Sequence, residues 1–170
     1  MTHLGPAPSR SRSTHLLTAV PYSHPEARRL TRALHTEQTA IYGFADDPDD
    51  TPREAFTPPR GLFVIAHRAH VPEAVGCGGW RLLDPETAEI KRMYVAVSAR
   101  GGGLGLHILE HLEEQAAACG VKRLVLETGV RNEAALALYR RCGYGPSPSY
   151  VPGRDMAINR AMSKKLPCSA

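Results

Sequence analysis

Arg100-Gly101-Gly102-Gly103-Leu104-Gly105 stands between a strand-like run and the first residues of an amphipathic helical pattern. Glycines at such a junction let the main chain come close to a ligand. The helix start behind them offers unpaired amide hydrogens and about +0.5 of an elementary charge to an anion. A pyrophosphate suits that arrangement. Arg100 reads either as a charge-assisted contact to the anion or as an exposed turn residue. Walker A needs Gly-Lys-Ser/Thr where this chain has Gly105-Leu106-His107, and a dinucleotide fingerprint needs glycine at Ile108. Nucleotide hydrolysis and hydride transfer are therefore disfavoured. The plain alternative is a flexible hinge that only ends a strand.

Upstream, Thr14 to Val20 reads as a strand. Ser23-His24-Pro25-Glu26 has the S-x-x-E pattern of a helix start, and Ala27, Leu30, Leu34 and Ile41 then recur on one helical face. Residues 43–60, with Asp46-Asp47-Pro48-Asp49-Asp50 and Pro52, Pro58 and Pro59, read as a mobile or irregular loop. Three antiparallel strands follow, at Gly61 to Ala66, Ala74 to Leu83 and Glu89 to Val97. Downstream, Leu104, Ile108, Leu112, Ala116 and Cys119 mark a helix ending at Gly120, and Val121 to Thr128 is a buried strand. A helix between two strands makes them parallel neighbours. Asn132 caps a last helix through Ala135, Leu136, Tyr139 and Cys142, and strands near Tyr144 to Val151 and Met156 to Ser163 complete a mixed-sheet α/β or α+β domain.

The 170 residues, 42% hydrophobic and 22% charged, suit one domain over 14–165, with a loose tail at 1–13 and a frayed end at 166–170. The net charge of +4 is dispersed over separate elements without interleaved aromatics, which disfavours nucleic acid as partner. No apolar run reaches membrane-span length. Cys77, Cys119, Cys142 and Cys168 lack zinc-site spacing, and a reducing cytoplasm is the expected location. His107 and His111 lie four apart but lack the Glu of H-E-x-x-H, so no metal is expected. Trp80 reads as a core or cleft aromatic.

The glycine stretch resembles the R/Q-x-x-G-x-G/A signature of the GNAT acetyltransferase superfamily. Ala88-Glu89-Ile90-Lys91-Arg92-Met93-Tyr94-Val95 resembles that family's fourth strand, Asn132-Glu133-Ala134-Ala135-Leu136-Ala137-Leu138-Tyr139 its N-x-x-A-x-x-x-Y helix, and Arg141-Cys142-Gly143-Tyr144 its helix-to-strand ending. The similarity covers residues 60–163 and extends through element order to residue 14. It implies a GNAT-like sheet of about seven strands, splayed between the fourth and fifth. Coenzyme A would be held by Arg100, Gly101, Gly102, Gly103, Leu104 and Gly105, and a bulge at Met93, Tyr94 and Val95 would pair with its pantetheine and polarise the thioester. Acetyl-CoA would be the donor and an amine the acceptor, with no metal and no membrane involved. Dimers are common in the family.

For catalysis the resemblance nominates two residues. Glu89 precedes Arg100 by eleven positions, the spacing of the strand carboxylate in histone-directed members, and would take the amine proton. A strand-edge pair with Lys91 or Arg92 is the alternative, and Glu127 the second candidate. Tyr139 would protonate the departing thiolate, or is a core tyrosine. Asn132 contacts pantetheine, caps its helix, or does both. A non-catalytic coenzyme A binding module is the other functional reading.

Overall fold

Alternation along the second strand divides the molecule into two cores. Val64 and Ala66 face one apolar cluster, while Phe63 and Ile65 face another, as the period of two in a strand requires. The computed structural model describes residues 14–167, so the tail at 1–13 and residues 168–170, including Cys168, lie outside the described residues. Seven strands form one mixed sheet in the order β1-β2-β3-β4-β5-β7-β6. They are β1 His15–Ala19, β2 Gly61–Arg68, β3 Ala74–Leu82, β4 Thr87–Val95, β5 Arg123–Gly129, β6 Gly145–Pro146 and β7 Asn159–Lys165. Three helices flank them: α1 Pro25–Tyr42, α2 Leu104–Ala118 and α3 Glu133–Arg141.

On one face α2 buries Leu104, Ile108, Leu109, Leu112 and Ala116 against Trp80, Ile90, Leu124 and Leu126, and α3 adds Leu136 and Tyr139. Trp80 is therefore a core residue. On the other face α1 places Ala27 and Leu30 over Phe63, Ile65 and Cys77. The strands from β1 to β4 run antiparallel, and α2 carries the chain across so that β5 lies parallel to β4. That crossover needs a helix's length of chain, which the sequence supplies.

Several expectations are revised. The first helix starts at His24, whose Nδ1 accepts from the Glu26 N–H, rather than at Ser23. Glu26 is drawn away from a capping box because it binds Arg29 and the Ala74 N–H. Leu34 is only half-buried, since the C-terminal half of α1 overhangs a cleft. Residues 43–60 contain two ordered 3-10 turns, Pro48–Asp50 and Arg53–Phe56, with Pro48 and Phe56 buried. Prolines at the starts of these turns supply the required φ without costing a ladder bond. Cys119 is exposed at the end of α2 rather than on its buried stripe. The expected strand 144–151 shrinks to Gly145–Pro146, because Pro146 and Pro148 lack the N–H that a ladder needs. Leu166, assigned by sequence to the frayed end, is buried, and its N–H donates to Lys122 O at 2.8 Å.

Glu26 fastens α1 to the start of β3: its Oε2 accepts from Ala74 N at 2.7 Å and its two oxygens from Arg29. The Arg29 bonds, aided by the Ala74 amide, hold this carboxyl down at about 2 against an ordinary 4.5. A depressed folded-state pKa stabilises the fold fully above pH 4.5, and that contribution disappears as pH falls from 4.5 towards 2. Glu26→Gln is expected to cost on the order of 2–3 kcal/mol at about pH 7 and to flatten the acid limb of stability, measured by urea unfolding from roughly pH 2 to pH 7.

Candidate active site

β4 and β5 pair over three residues only, Thr87↔Arg123, Ala88↔Leu124 and Glu89↔Val125, and then diverge. β4 continues along β3 to Val95, while β5 continues along β7 to Gly129. The gap between them is a cleft of about 640 Å³, the size of a small-molecule site. Its walls include all the expected positions on β4, the glycine turn and α3 except Gly102, which lies in the same turn.

The divergence has a local cause. Between the pairs Cys77↔Tyr94 and Gly79↔Lys91, β4 has two residues, Arg92 and Met93, where β3 has one, Gly78. Arg92 takes φ 61°, a left-handed conformation that is strained for arginine. Sequence placed the bulge at Met93 to Val95; the structure puts it one residue earlier, overlapping at Met93. The Arg92 guanidinium pins it by donating to Asp46 O, Asp47 O and Thr51 Oγ1 at 3.0–3.2 Å, and the Cys77 thiol donates to the Arg92 carbonyl.

At the mouth, Gly101 and Gly103 adopt φ 83° and 79°, and a β-carbon added at Gly101, Gly102 or Gly103 would meet nothing within 4 Å. The turn therefore presents open main chain. Gly103 caps α2 with no side chain to accept from its first amides, whereas His24 and Asn132 supply acceptors at α1 and α3. The α2 amides are thus left for an external anion. A β-carbon added at Gly105 would lie at ordinary contact distance from Leu138. Arg100 points away from this turn and back towards the strand: Nε donates to Val95 O, Nη2 donates to both Glu37 oxygens, and the guanidinium lies over the Tyr94 ring. It anchors α1 to the end of β4.

One turn further along, the C-terminus of α1 is anchored to the end of β5 and the connection that follows it. Tyr42 Oη accepts from Arg131 N, and Arg131 Nη1 donates to Ile41 O. A β-carbon at Gly129 would fall inside the Tyr42 phenol, so glycine is required for this approach. The last turns of α1 thereby bridge the end of β4 and the end of β5.

Glu89 lies at the vertex of the cleft, 4% exposed. Arg81 Nε donates to Oε2 at 2.8 Å, Tyr150 Oη donates to Oε1 at 2.9 Å, and Lys91 Nζ stands 3.7 Å away. The expected pairing with Lys91 exists, that with Arg92 does not, and Arg81 with Tyr150 does the close binding. Burial, then the Glu89 charge, pushes the Tyr150 phenol far up, so it stays protonated as a donor. Glu127, on the same face of β5, accepts from Arg154 Nε at 3.0 Å and Ser149 Oγ at 3.2 Å. Arg154 also clasps Asp46 with both terminal nitrogens.

Tyr139 is 6% exposed, edge-on to Tyr144, and burial raises its phenol pKa well above the usual range. It both packs in the core and borders the cleft. Asn132 Oδ1 accepts from Ala135 N at 3.2 Å, which satisfies its capping role at the cleft wall. Burial, with His107 adding to it, lowers the His111 pKa, and no three metal-ligating side chains converge among the described residues. No helix among them is long and apolar enough to cross a membrane.

Sequence reading missed Arg81, Tyr150 and Arg154. Arg81 had a signal: the hairpin at Asp84-Pro85-Glu86 sets it directly opposite Glu89. Tyr150 and Arg154 lie in a segment read as a strand pair, and nothing in its letters marks them.

A family model, the acetyltransferase (GNAT) family, matches residues 27–144. An IAA acetyltransferase of Azospirillum brasilense is 42% identical over 106 residues, which is 61% of this chain and 67% of that protein. A Klebsiella pneumoniae structure, provisionally described as an acyl-CoA N-acyltransferase, superposes with TM-score 0.76 at 30% identity, covering 89% of this chain and 97% of its own. A GNAT family acetyltransferase from Elizabethkingia anophelis with acetyl-CoA bound has the same fold, with TM-score 0.65 at 20% identity over 91% of this chain and 100% of its own.

Replacing the Arg92 guanidinium removes charged hydrogen bonds that hold the bulge. Arg92→Met is expected to lower unfolding free energy by about 2–4 kcal/mol, seen as a lower urea midpoint at unchanged slope.

Proposed function

This chain belongs to the acetyltransferase (GNAT) family and is an acyltransferase enzyme, and from that premise we propose that it moves an acetyl group from acetyl-CoA to a primary amine of a small molecule or peptide. The observation that carries the reading is the strand divergence at Glu89, which opens a cleft onto a glycine turn whose helix amides have no side-chain acceptor. The residues fit the donor: open main chain at Gly101–Gly103 suits a pyrophosphate, and the bulge at Arg92–Met93 interrupts the β3–β4 ladder at the cleft wall.

Acetyl-CoA supplies an activated acyl carbon as a thioester. The amides of Leu104, Gly105 and Leu106 bind its phosphates at the positive end of α2. The amides near Met93, Tyr94 and Val95 orient the arm and polarise the carbonyl, and Asn132 supports the arm from α3. Glu89 accepts the proton that the amine must lose before it attacks, since an ammonium has no lone pair. Glu127 positions the acceptor face through Arg154. Tyr139 gives its proton to the departing thiolate, and its burial keeps that proton in place until the leaving charge develops. Transfer is direct, within a ternary complex.

Thiol release from acetyl-CoA, measured against polyamines, amino acids, aminoglycosides and peptide amino termini with mass spectrometry of products, tests the assignment. Tyr139→Phe and Glu89→Gln are each expected to lower kcat by roughly 10²-fold with the acetyl-CoA KM little changed. Wild-type turnover that both variants retain in full would remove these roles. Acetyl-CoA binding without turnover on any amine would leave a binding module.

A further inference from the structure

The acceptor half of the cleft lies on the face of the sheet that carries Glu89, Lys91 and Glu127, under the loops that contribute Asp46 and Arg154. Its charges are unevenly satisfied. Each carboxylate has a close guanidinium: Glu89 has Arg81 at 2.8 Å, Glu127 has Arg154 at 3.0 Å, and Asp46 has the same Arg154. Two cations are less well served. Among the described residues Lys91 Nζ pairs with Glu89 alone, at 3.7 Å and so outside hydrogen-bond distance, although its side chain is 18% exposed. Arg92, 8% exposed, binds carbonyls and a hydroxyl; among the described residues no carboxylate pairs with it, and its Nε has no hydrogen-bond partner. Both residues line the cleft.

We propose that the amine acceptor carries a carboxylate near its amine, as an amino acid does, and that Lys91 holds this carboxylate on the floor of the cleft. The inference rests on the amine-transfer reading above. A second cationic group on the acceptor would enter a site where each carboxylate already has a close guanidinium and would add to the positive charge of Arg81, Lys91, Arg92 and Arg154, whereas a carboxylate offsets it. It also supplies the hydrogen-bonded anion that Lys91 lacks and the carboxylate that Arg92 lacks among the described residues, in a site where low dielectric makes an unmatched charge costly. Burial lowers the Lys91 pKa, with Arg92 and Arg81 adding to the effect and Glu89 and Asp46 opposing it; a bound anion would oppose it further. Lys91 stands two residues beyond Glu89 on β4 and next to the bulge. An anion held there leaves a neighbouring amine between the base and the polarised carbonyl.

The experiment compares kcat/KM for common amino acids with their primary amides at about pH 7.5, where the ammonium groups of both are partly or largely protonated. The amides have the more acidic ammonium groups, so more of their amine is already free, and a preference for the acids cannot come from amine basicity. We expect the acids to be favoured at least tenfold, through KM. Lys91→Met should reduce the preference to near unity, and Lys91→Arg should preserve it. Calorimetry provides a readout without turnover: with coenzyme A present, N-acetyl-phenylalanine should bind the wild type at least tenfold tighter than its primary amide, and Lys91→Met should erase the difference. Amides that equal or exceed the acids, or a Lys91→Met variant that is folded by circular dichroism and keeps the preference, overturn the inference while leaving amine transfer standing. Failure of every amine, with or without a carboxylate, overturns the amine-transfer reading itself.

Discussion

One additional residue in β4 governs the site. Because Arg92 and Met93 together face Gly78, the strand bends and its twist increases, as a bulge requires. β5 follows β4 only as far as Val125 and thereafter keeps company with β7. A left-handed arginine costs about 1–3 kcal/mol, and it persists because its side chain is fixed at the far end by three oxygens of the segment 46–51. The same contacts order that segment and carry Asp46 to the cleft rim. Cleft and rim therefore stand or fall with one backbone conformation.

Under the proposed acetyl transfer, the donor and acceptor halves of the cleft would use different chemistry. The donor half is made of main chain: glycines without β-carbons in contact, a helix start without a capping side chain, and an interrupted ladder. Such a surface suits phosphates and amides and leaves little for side chains to specify. The acceptor half is made of side chains drawn from four elements, with Arg81 on β3, Glu89 and Lys91 on β4, Glu127 on β5, and Tyr150 and Arg154 on the β6–β7 connection. The last turns of helix α1 touch both walls of the cleft, with Arg100 bound at Glu37 and Arg131 bound at Ile41 one turn further on. Movement of α1 would alter both together.

The order of strands and helices was legible because periodicity is local: a stripe at three and four residues marks α2, and alternation marks β2. The open glycine turn was legible for a related reason, since its glycines are consecutive in sequence and their conformation depends on backbone freedom alone. The acceptor half was not. Its partners are brought together by sheet register and by a connection rich in proline and glycine, where Tyr150 and Arg154 show no period. The proline-rich segment 43–60 read as mobile because its order comes from distant groups, Arg92 above all. Glu89 was found by spacing, yet the guanidinium that holds it was visible only once the β3–β4 register was known.

Glu89 shows why that network bears on chemistry rather than on stability. Burying an ion pair costs several kcal/mol in lost hydration and is often no better than a hydrophobic pair, so Arg81 and Glu89 add little to folding. What they secure is a carboxylate fixed at the vertex of the cleft. An ionised carboxylate has about four lone-pair sites; Arg81 and Tyr150 occupy two, and Lys91 stands too far away to occupy a third. Tyr150 cannot compete as a proton acceptor, because burial and the Glu89 charge both keep its phenol protonated. The remaining lone-pair capacity at Glu89 can therefore serve an incoming amine or a water that relays its proton. The same spacing that denies Lys91 a hydrogen bond to Glu89 leaves its ammonium hydrogens available to the acceptor.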